Sequence, residues 1–256
     1  MTTLRVVLAP DSFKGSLSAP DVCAALARGL ARAEPDVEVR ARPMADGGEG
    51  TLDAVLAAVG AKGERLHALV TGAGGEPIDA AYGLITRDDG VTAVLEAAQV
   101  VGITDPAGMS IPVAQRSTRG LGELVRNLMD AGVRRFMVGL GGSSTNDGGS
   151  GLLSALGAAL IGDTGAPINP TPSGLPSLAR ITLVDLDPRL RGCEFRIMSD
   201  VNNPLTGALG ATAIFGPQKG VLPGEVDPFD RSIGRYAELA QAAFGRKVAD
   251  QPGGKA

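Results

Sequence analysis

Short apolar runs of strand length alternate along this chain with segments of helical period, and the turns between them carry aspartates and glycines. This alternation limits the fold more than any other feature, because strand–helix–strand units pack as an α/β protein with a largely parallel sheet. Residues 4–9 are the first apolar run. The turn Pro10-Asp11-Ser12 and then Phe13-Lys14-Gly15 follow it. A helix starts with Ser18 as N-cap and Pro20 in its first turn, and its period buries Val22, Ala25, Leu26 and Leu30. Residues 37–41 are a second strand. The loop 43–50 then leads to a helix capped by Thr51, with Leu52, Val55, Leu56 and Val59 on its apolar face.

Between residues 70 and 115 the texture changes. A glycine-rich turn occupies 71–75, and strands at 81–86 and 92–96 are joined through Asp88-Asp89-Gly90 as a hairpin. A hairpin implies a different sheet, so a domain boundary is expected within 72–82. Residues 117–131 form a helix with Leu121, Leu124, Val125 and Leu128 on one side, closed by Gly132. A strand at 135–140 runs into the longest glycine-rich loop of the chain. The next helix carries Leu152, Leu153, Leu156 and Leu160, and 163–180 reads as surface loop. A strand at 195–199 and a helix opened by Asp227 and Pro228 complete the pattern.

Composition narrows the function classes. The chain has 256 residues, 44% of them apolar and 20% charged, as ordinary globular proteins do. A net charge of −4 gives no electrostatic case for nucleic acid or an anionic membrane. No apolar run approaches the roughly 20 residues of a membrane span, and the first ten residues lack signal-peptide character. Cys23 and Cys193 have no metal-like spacing, and Cys23 lies on an apolar helical face as a reduced thiol. The lone histidine, His67, argues against a histidine-rich metal site and against most Ser/His/Asp schemes. It sits in an alternating stretch at 65–70, as a solvent-facing strand residue. These features point to a cytoplasmic enzyme or binding protein.

In open α/β sheets ligands bind beyond the carboxyl ends of strands, and the loops there carry Asp11, Asp46, Asp147 and Asp200. Any one of them has a local explanation, because aspartate stabilises turns. The segment 139–149 follows a strand and precedes a helix. Its glycines, including Gly141 and Gly142, let backbone N–H groups approach an anion, and Ser143 adds a hydroxyl. A tight strand-to-helix connection explains it equally well. It has neither Walker A spacing nor the dinucleotide fingerprint. The loop Asp46-Gly47-Gly48-Glu49-Gly50 suits a magnesium ion or the hydroxyls of a sugar-like ligand. Asp200, with Asn202 and Asn203, has the chemistry to accept a proton from an attacking alcohol. Lys14 and Lys219 lie in Gly/Pro-rich stretches, where an ammonium could neutralise phosphate oxygens, although most such lysines are merely solvated. The inventory matches magnesium-assisted phosphoryl transfer to a small polar acceptor. It also matches a non-catalytic binder of hydroxy acids.

Five stretches carry a resemblance: LAPDSFKGSLSA (8–19), PMADGGEGT (43–51), VGLGGSSTNDGGSGLLSALGA (138–158), SDVNNPLTG (199–207) and FGPQKG (215–220). In these stretches and in their order the chain resembles the bacterial-type glycerate kinase family. That resemblance implies ATP- and magnesium-dependent phosphorylation of D-glycerate, with 2-phosphoglycerate as the favoured product. It implies a flavodoxin-like first domain with a second α/β domain inserted: residues 1–78, then 79–250, with 251–256 beginning the return. Relatives of this kind continue further, so the first domain is expected to be incomplete, with an exposed sheet edge and an uncovered apolar face. The positions carried over are Asp200, Lys14 and Lys219 as catalytic; Asp11, Asp46, Asn146, Asp147 and Asn203 as substrate-binding; Gly141, Gly142 and Ser143 as the phosphate cradle; and Asp46 as the magnesium ligand. A shortened homologue that only binds a hydroxy acid, or a kinase for a related sugar acid, are the alternative expectations.

Overall fold

Strands β1 (Arg5–Leu8) and β2 (Glu38–Ala41) pair in parallel as a separate two-stranded sheet, with helix α1 (Ala19–Ala33) between them. The computed structural model describes residues 4–13 and 16–246. Helix α1 starts where its sequence dictates: the Ser18 hydroxyl accepts the Asp21 N–H at 3.3 Å, and Pro20 sits in the first turn. It buries Ala19, Val22 and the free thiol of Cys23. Ala25 and Leu26, expected on the inner face, are exposed, because a sheet of two strands covers only the first turns of the helix. Leu4 and Val7 of the same unit are 55% and 64% exposed, which leaves an uncovered apolar surface.

Helix α2 (Thr51–Val59) follows Gly50, which takes the N-cap position with φ 88°. Thr51 is therefore the first helical residue and not the cap. The helix lays Leu52, with Val55, Leu56 and Val59, onto Ala81, Ile85 and Val94 of a larger sheet. That sheet has five strands: β3 (Gly63–Thr71), β4 (Pro77–Arg87), β5 (Gly90–Glu96), β6 (Arg135–Gly139) and, beyond two shorter strands in the chain, β9 (Glu194–Met198). The β3–β4 and β4–β5 pairs are antiparallel, and β5–β6 and β6–β9 parallel, so the sheet is mixed where a largely parallel one was expected. Nine residue pairs from Gly63↔Ile85 to Thr71↔Pro77 join β3 to β4. The larger sheet thus begins at Gly63, ahead of the 72–82 stretch, and a cut after residue 78 falls inside β4. Residues 251–256 lie outside the described part of the chain.

The sheet is covered on both faces, and strand alternation shows it. In β5, Ala93 and Leu95 pack against Leu121, Leu124, Val125 and Leu128 of α5 (Arg119–Asp130), while Val94 between them faces α2. Two short helices, α3 (Ala97–Val101) and α4 (Pro106–Ser110), bridge β5 to α5. On the edge strand, Phe195 stacks on Phe136 with ring centroids 4.8 Å apart, yet Phe195 and Ile197 stay 40% and 54% exposed.

A second core forms after β6. Helix α6 (Ser150–Ala155) ends before Gly157, whose φ of 103° breaks the helical course. Leu160, expected on that helix, lies instead on β7 (Ala159–Gly162). This strand pairs antiparallel with β8 (Leu178–Thr182), whose first three residues fall in the stretch expected to be loop. The Pro, Gly and Ser between them hid a wide hairpin. Helix α7 (Ala211–Lys219) was also illegible, because Gly216 and Pro217 lie within it. Helix α8 (Val226–Phe244) opens near Asp227 and Pro228 as expected, and buries Ile233 and Tyr236 against Leu160, Leu178 and Ile181. Among the described residues no helix is long and apolar enough to cross a membrane.

Candidate active site

Three loops leave the carboxyl ends of β2, β6 and β9 and meet backbone to backbone. Gly141 N–H donates to the Gly47 carbonyl at 2.8 Å, and Leu140 N–H to the Met198 carbonyl at 3.4 Å. A Cβ on Gly141 would lie 2.5 Å from Gly48 Cα, and one on Gly47 2.5 Å from the Met198 oxygen. Glycine is therefore needed in both loops for their mutual approach, in addition to any approach to a ligand.

Between these loops and α7 opens a cleft of about 1050 Å³, counted to its open mouth. Asp46, Gly141, Gly142, Ser143, Asp200 and Lys219 all line it, so the structure brings together six of the residues singled out from the sequence. Asp46 follows β2 and accepts the Gly48 N–H on Oδ1 at 2.9 Å, which folds the acidic loop back on itself. Asp200 is exposed just beyond β9. The glycine-rich loop is pinned from behind: Ser144 N–H donates to the Val101 carbonyl at 2.7 Å, and Ile103 N–H to the Gly142 carbonyl at 2.8 Å. The N–H groups of Gly142 and Ser143 meet no protein acceptor among the described residues. Two orphan donors on a glycine backbone are what an anion cradle requires.

Lys219 is neither in a loop nor solvated. It is the last residue of α7, only 3% exposed, and its Nζ donates to the Thr145 carbonyl at 2.7 Å. The cleft lining thus includes a buried ammonium and two carboxylates.

The other expected positions that fall among the described residues do not line the cleft. Asp147 is fully buried and accepts from Thr118 N–H (2.8 Å), Thr118 Oγ1 (2.8 Å), Gly149 N–H (3.2 Å) and Gly151 N–H (3.1 Å). It fastens α5 to the start of α6. Burial pushes its carboxyl above the usual range, against the pull of those four bonds. Asn146 is equally buried; its Nδ2 donates to Thr212 Oγ1 at 3.3 Å, and its Oδ1 meets no partner among the described residues. Asn203 donates to the Leu209 carbonyl at 2.9 Å and closes its own loop. Asp11 accepts the adjacent Ser12 N–H at 2.6 Å and stands outside the cleft wall. Lys14 lies outside the described residues.

One carboxylate was overlooked. Glu96, the last residue of β5, is 1% exposed and accepts from the Leu52 N–H and from Gln99 Nε2 at 3.2 Å. Burial pushes its carboxyl upward despite both bonds. It supplies the helix-terminal acceptor that Thr51 does not, and so ties the acidic loop's helix to the large sheet. The signal was present, since Glu96 ends a strand and Asp200 follows one by two residues.

Two carboxylates, an ammonium and free backbone donors can hold an anion on one wall and a hydroxyl-bearing group on the other. The donor set also suits magnesium. No cluster of three or more metal-binding side chains exists among the described residues. Magnesium needs only one or two carboxylates when phosphate and water supply the rest, and Asp46 is a carboxylate of that kind on the cleft wall.

Residues 6–256 match the family model described as "Glycerate kinase family". The chain is 41% identical over 255 residues to the glycerate kinase of Bacillus subtilis (strain 168), covering 98% of this chain and 64% of that protein. It is 41% identical over 251 residues to the glycerate 2-kinase of Escherichia coli (strain K12), covering 98% of this chain and 65% of that one. A crystal structure from Salmonella typhimurium LT2, assigned as a glycerate kinase 2, superposes with a TM-score of 0.82 at 41% identity. It matches 100% of this chain and 67% of its own. The chain thus spans a little under two thirds of the length of these two curated relatives.

Proposed function

The chain belongs to the glycerate kinase family, and from that premise we propose that its cleft serves ATP-dependent phosphorylation of D-glycerate, yielding 2-phosphoglycerate. The observation that carries this reading is the meeting of Asp46, Asp200, Lys219 and the Gly141–Ser143 backbone around one cleft. The overall plan belongs to the same proposal: β1, α1 and β2 form part of a flavodoxin-like domain, into which the five-stranded sheet and its helices are inserted.

In this reading Asp200 orients the glycerate hydroxyl and takes its proton as the oxygen attacks the γ-phosphorus. The new oxygen–phosphorus bond forms as the bond to the β–γ bridging oxygen breaks, and ADP leaves with that electron pair. The N–H groups of Gly142 and Ser143 receive the phosphate oxygens, and Lys219, with Lys14 as a second cation, offsets the charge that accumulates there. Magnesium, held by Asp46, would shield the nucleotide's phosphates from the acidic loop. The buried contacts behind the wall keep these groups fixed, which matters because catalysis of this type is mostly positioning.

The test is ADP release by the purified chain with ATP, magnesium and D-glycerate, with the product identified by phosphorus NMR. Turnover that needs all three and yields 2-phosphoglycerate is expected. A folded chain that releases ADP with another sugar acid and not with glycerate would overturn the substrate; one inert with every acid would overturn the activity.

A further inference from the structure

Among the described residues, Arg116 is a buried cation balanced by uncharged groups. It is 3% exposed, and its guanidinium spends its donors on main-chain carbonyls from three segments. Nε donates to Ile111 O at 2.8 Å and Nη2 to Met109 O at 3.0 Å. Nη1 donates to Ser144 O at 3.0 Å and to Lys219 O at 2.8 Å, and lies 3.2 Å from Met109 Sδ. Among the described residues no carboxylate comes within ion-pair distance of it. A buried charge is ordinarily paired with an opposite one, since desolvation costs several kcal/mol per ion (about that order); here carbonyl dipoles take the partner's place.

The same nitrogen, Nη1, holds the carbonyl of Lys219 and that of Ser144, while the Lys219 ammonium reaches across to Thr145, the next carbonyl in the loop. Arg116, residues 144–145 and Lys219 therefore close a ring of hydrogen bonds directly behind the cleft wall. The end of α7 cannot move away from the glycine-rich loop without breaking it.

We propose that Arg116 is the positioning residue of this wall: it fixes Lys219 against the glycine-rich loop and adds a second buried positive charge behind the anion cradle. It touches no ligand itself. The anion part rests on the phosphate-binding reading of the cleft; the fixing of Lys219 does not.

The experiment compares the wild-type chain with Arg116→Met and Arg116→Lys. Lysine acylation by acetic anhydride is mapped by mass spectrometry, with exposed Lys62 as internal control, and ADP binding is measured by calorimetry. In the wild type, Lys219 should react about tenfold more slowly than Lys62. In Arg116→Met it should approach the Lys62 rate, and ADP affinity should fall about tenfold, the order of one lost through-space charge interaction with the bound phosphates. Arg116→Lys restores the charge without the four-carbonyl fork, so it should regain ADP affinity while Lys219 stays reactive; a general packing defect would not separate the two readouts. A folded Arg116→Met chain with Lys219 still protected and ADP affinity unchanged overturns the proposal. Should Arg116→Met fail to fold, Arg116→Lys decides: wild-type protection of Lys219 in it is equally fatal. A wild-type chain that binds no ADP, but whose Lys219 becomes reactive in the variants, refutes the nucleotide reading and upholds the positioning role.

Discussion

The ammonium of Lys219 is bonded to the carbonyl of Thr145 at 2.7 Å, which joins the last residue of α7 to the loop that follows β6, 74 positions earlier. A cation in this place is already desolvated and aimed, so it needs no reorganisation when charge develops nearby. Replacing Lys219 by Met should lower kcat about a hundredfold or more, the loss typical of one preorganised electrostatic donor. The melting temperature should change far less than activity. Steady-state kinetics beside a thermal melt checks both.

Asp200 is exposed just beyond β9, where it lines the cleft. Asp200→Asn should therefore leave stability unchanged and reduce kcat by roughly 10²–10⁴, the range for a lost general base. ATP affinity measured without glycerate should stay within a few-fold of wild type (about the level of uniform binding effects). Equal turnover in the variant would exclude Asp200 as the proton acceptor.

Asp147 has the opposite character. Four donors converge on its carboxylate deep in the protein. Asp147→Ala strands those donors and should cost at least about 2 kcal/mol, measured as the shift in urea midpoint. The KM for glycerate in the remaining folded chain should stay at the wild-type value, since the residue does not reach the cleft.

Glu96 makes stability depend on pH in a defined direction. Its carboxyl titrates above the ordinary carboxylate range in the folded chain, because burial outweighs its two hydrogen bonds. Across the window from the ordinary value up to the raised one, the folded state binds more protons than the unfolded state. Stability therefore falls as pH rises through that window. Glu96→Gln keeps an acceptor for the Leu52 N–H and removes the titration, so urea midpoints of the variant should decline less steeply there. An unchanged slope would show that Glu96 does not titrate in this range.

The units β1–α1–β2 and α5–β6, and the loops carrying Asp46, Asp200 and Gly141–Ser143, were legible because strand ends and periodicity are local signals. Burial was less so. Asp46 and Asp147 both precede two glycines, yet Asp147 turns inward because Thr118, 29 positions away, offers it two donors. Lys219 looked solvated because Gly216 and Pro217 read as helix breakers. Helix α7 tolerates both near its C-terminus, with Gly216 packed on Val221. Leu160 follows helical spacing from Leu153 and Leu156, and a single glycine at 157 sends it into a strand. The burial of Asp147 turned on a contact with a distant segment, which no local window contains; the other two misses turned on glycine and proline, whose local signals fit more than one course.

Glu96 and a shared apolar face fasten α2 to the five-stranded sheet, while β2 belongs to the other sheet. Among the described residues, the chain passes from one sheet to the other through residues 42–50, the segment that carries Asp46. The bonds that would absorb any change in the angle between the sheets are thus the bonds on which Asp46 is mounted. The residue proposed to grip a ligand and the described connection between the two sheets thus share the same nine residues.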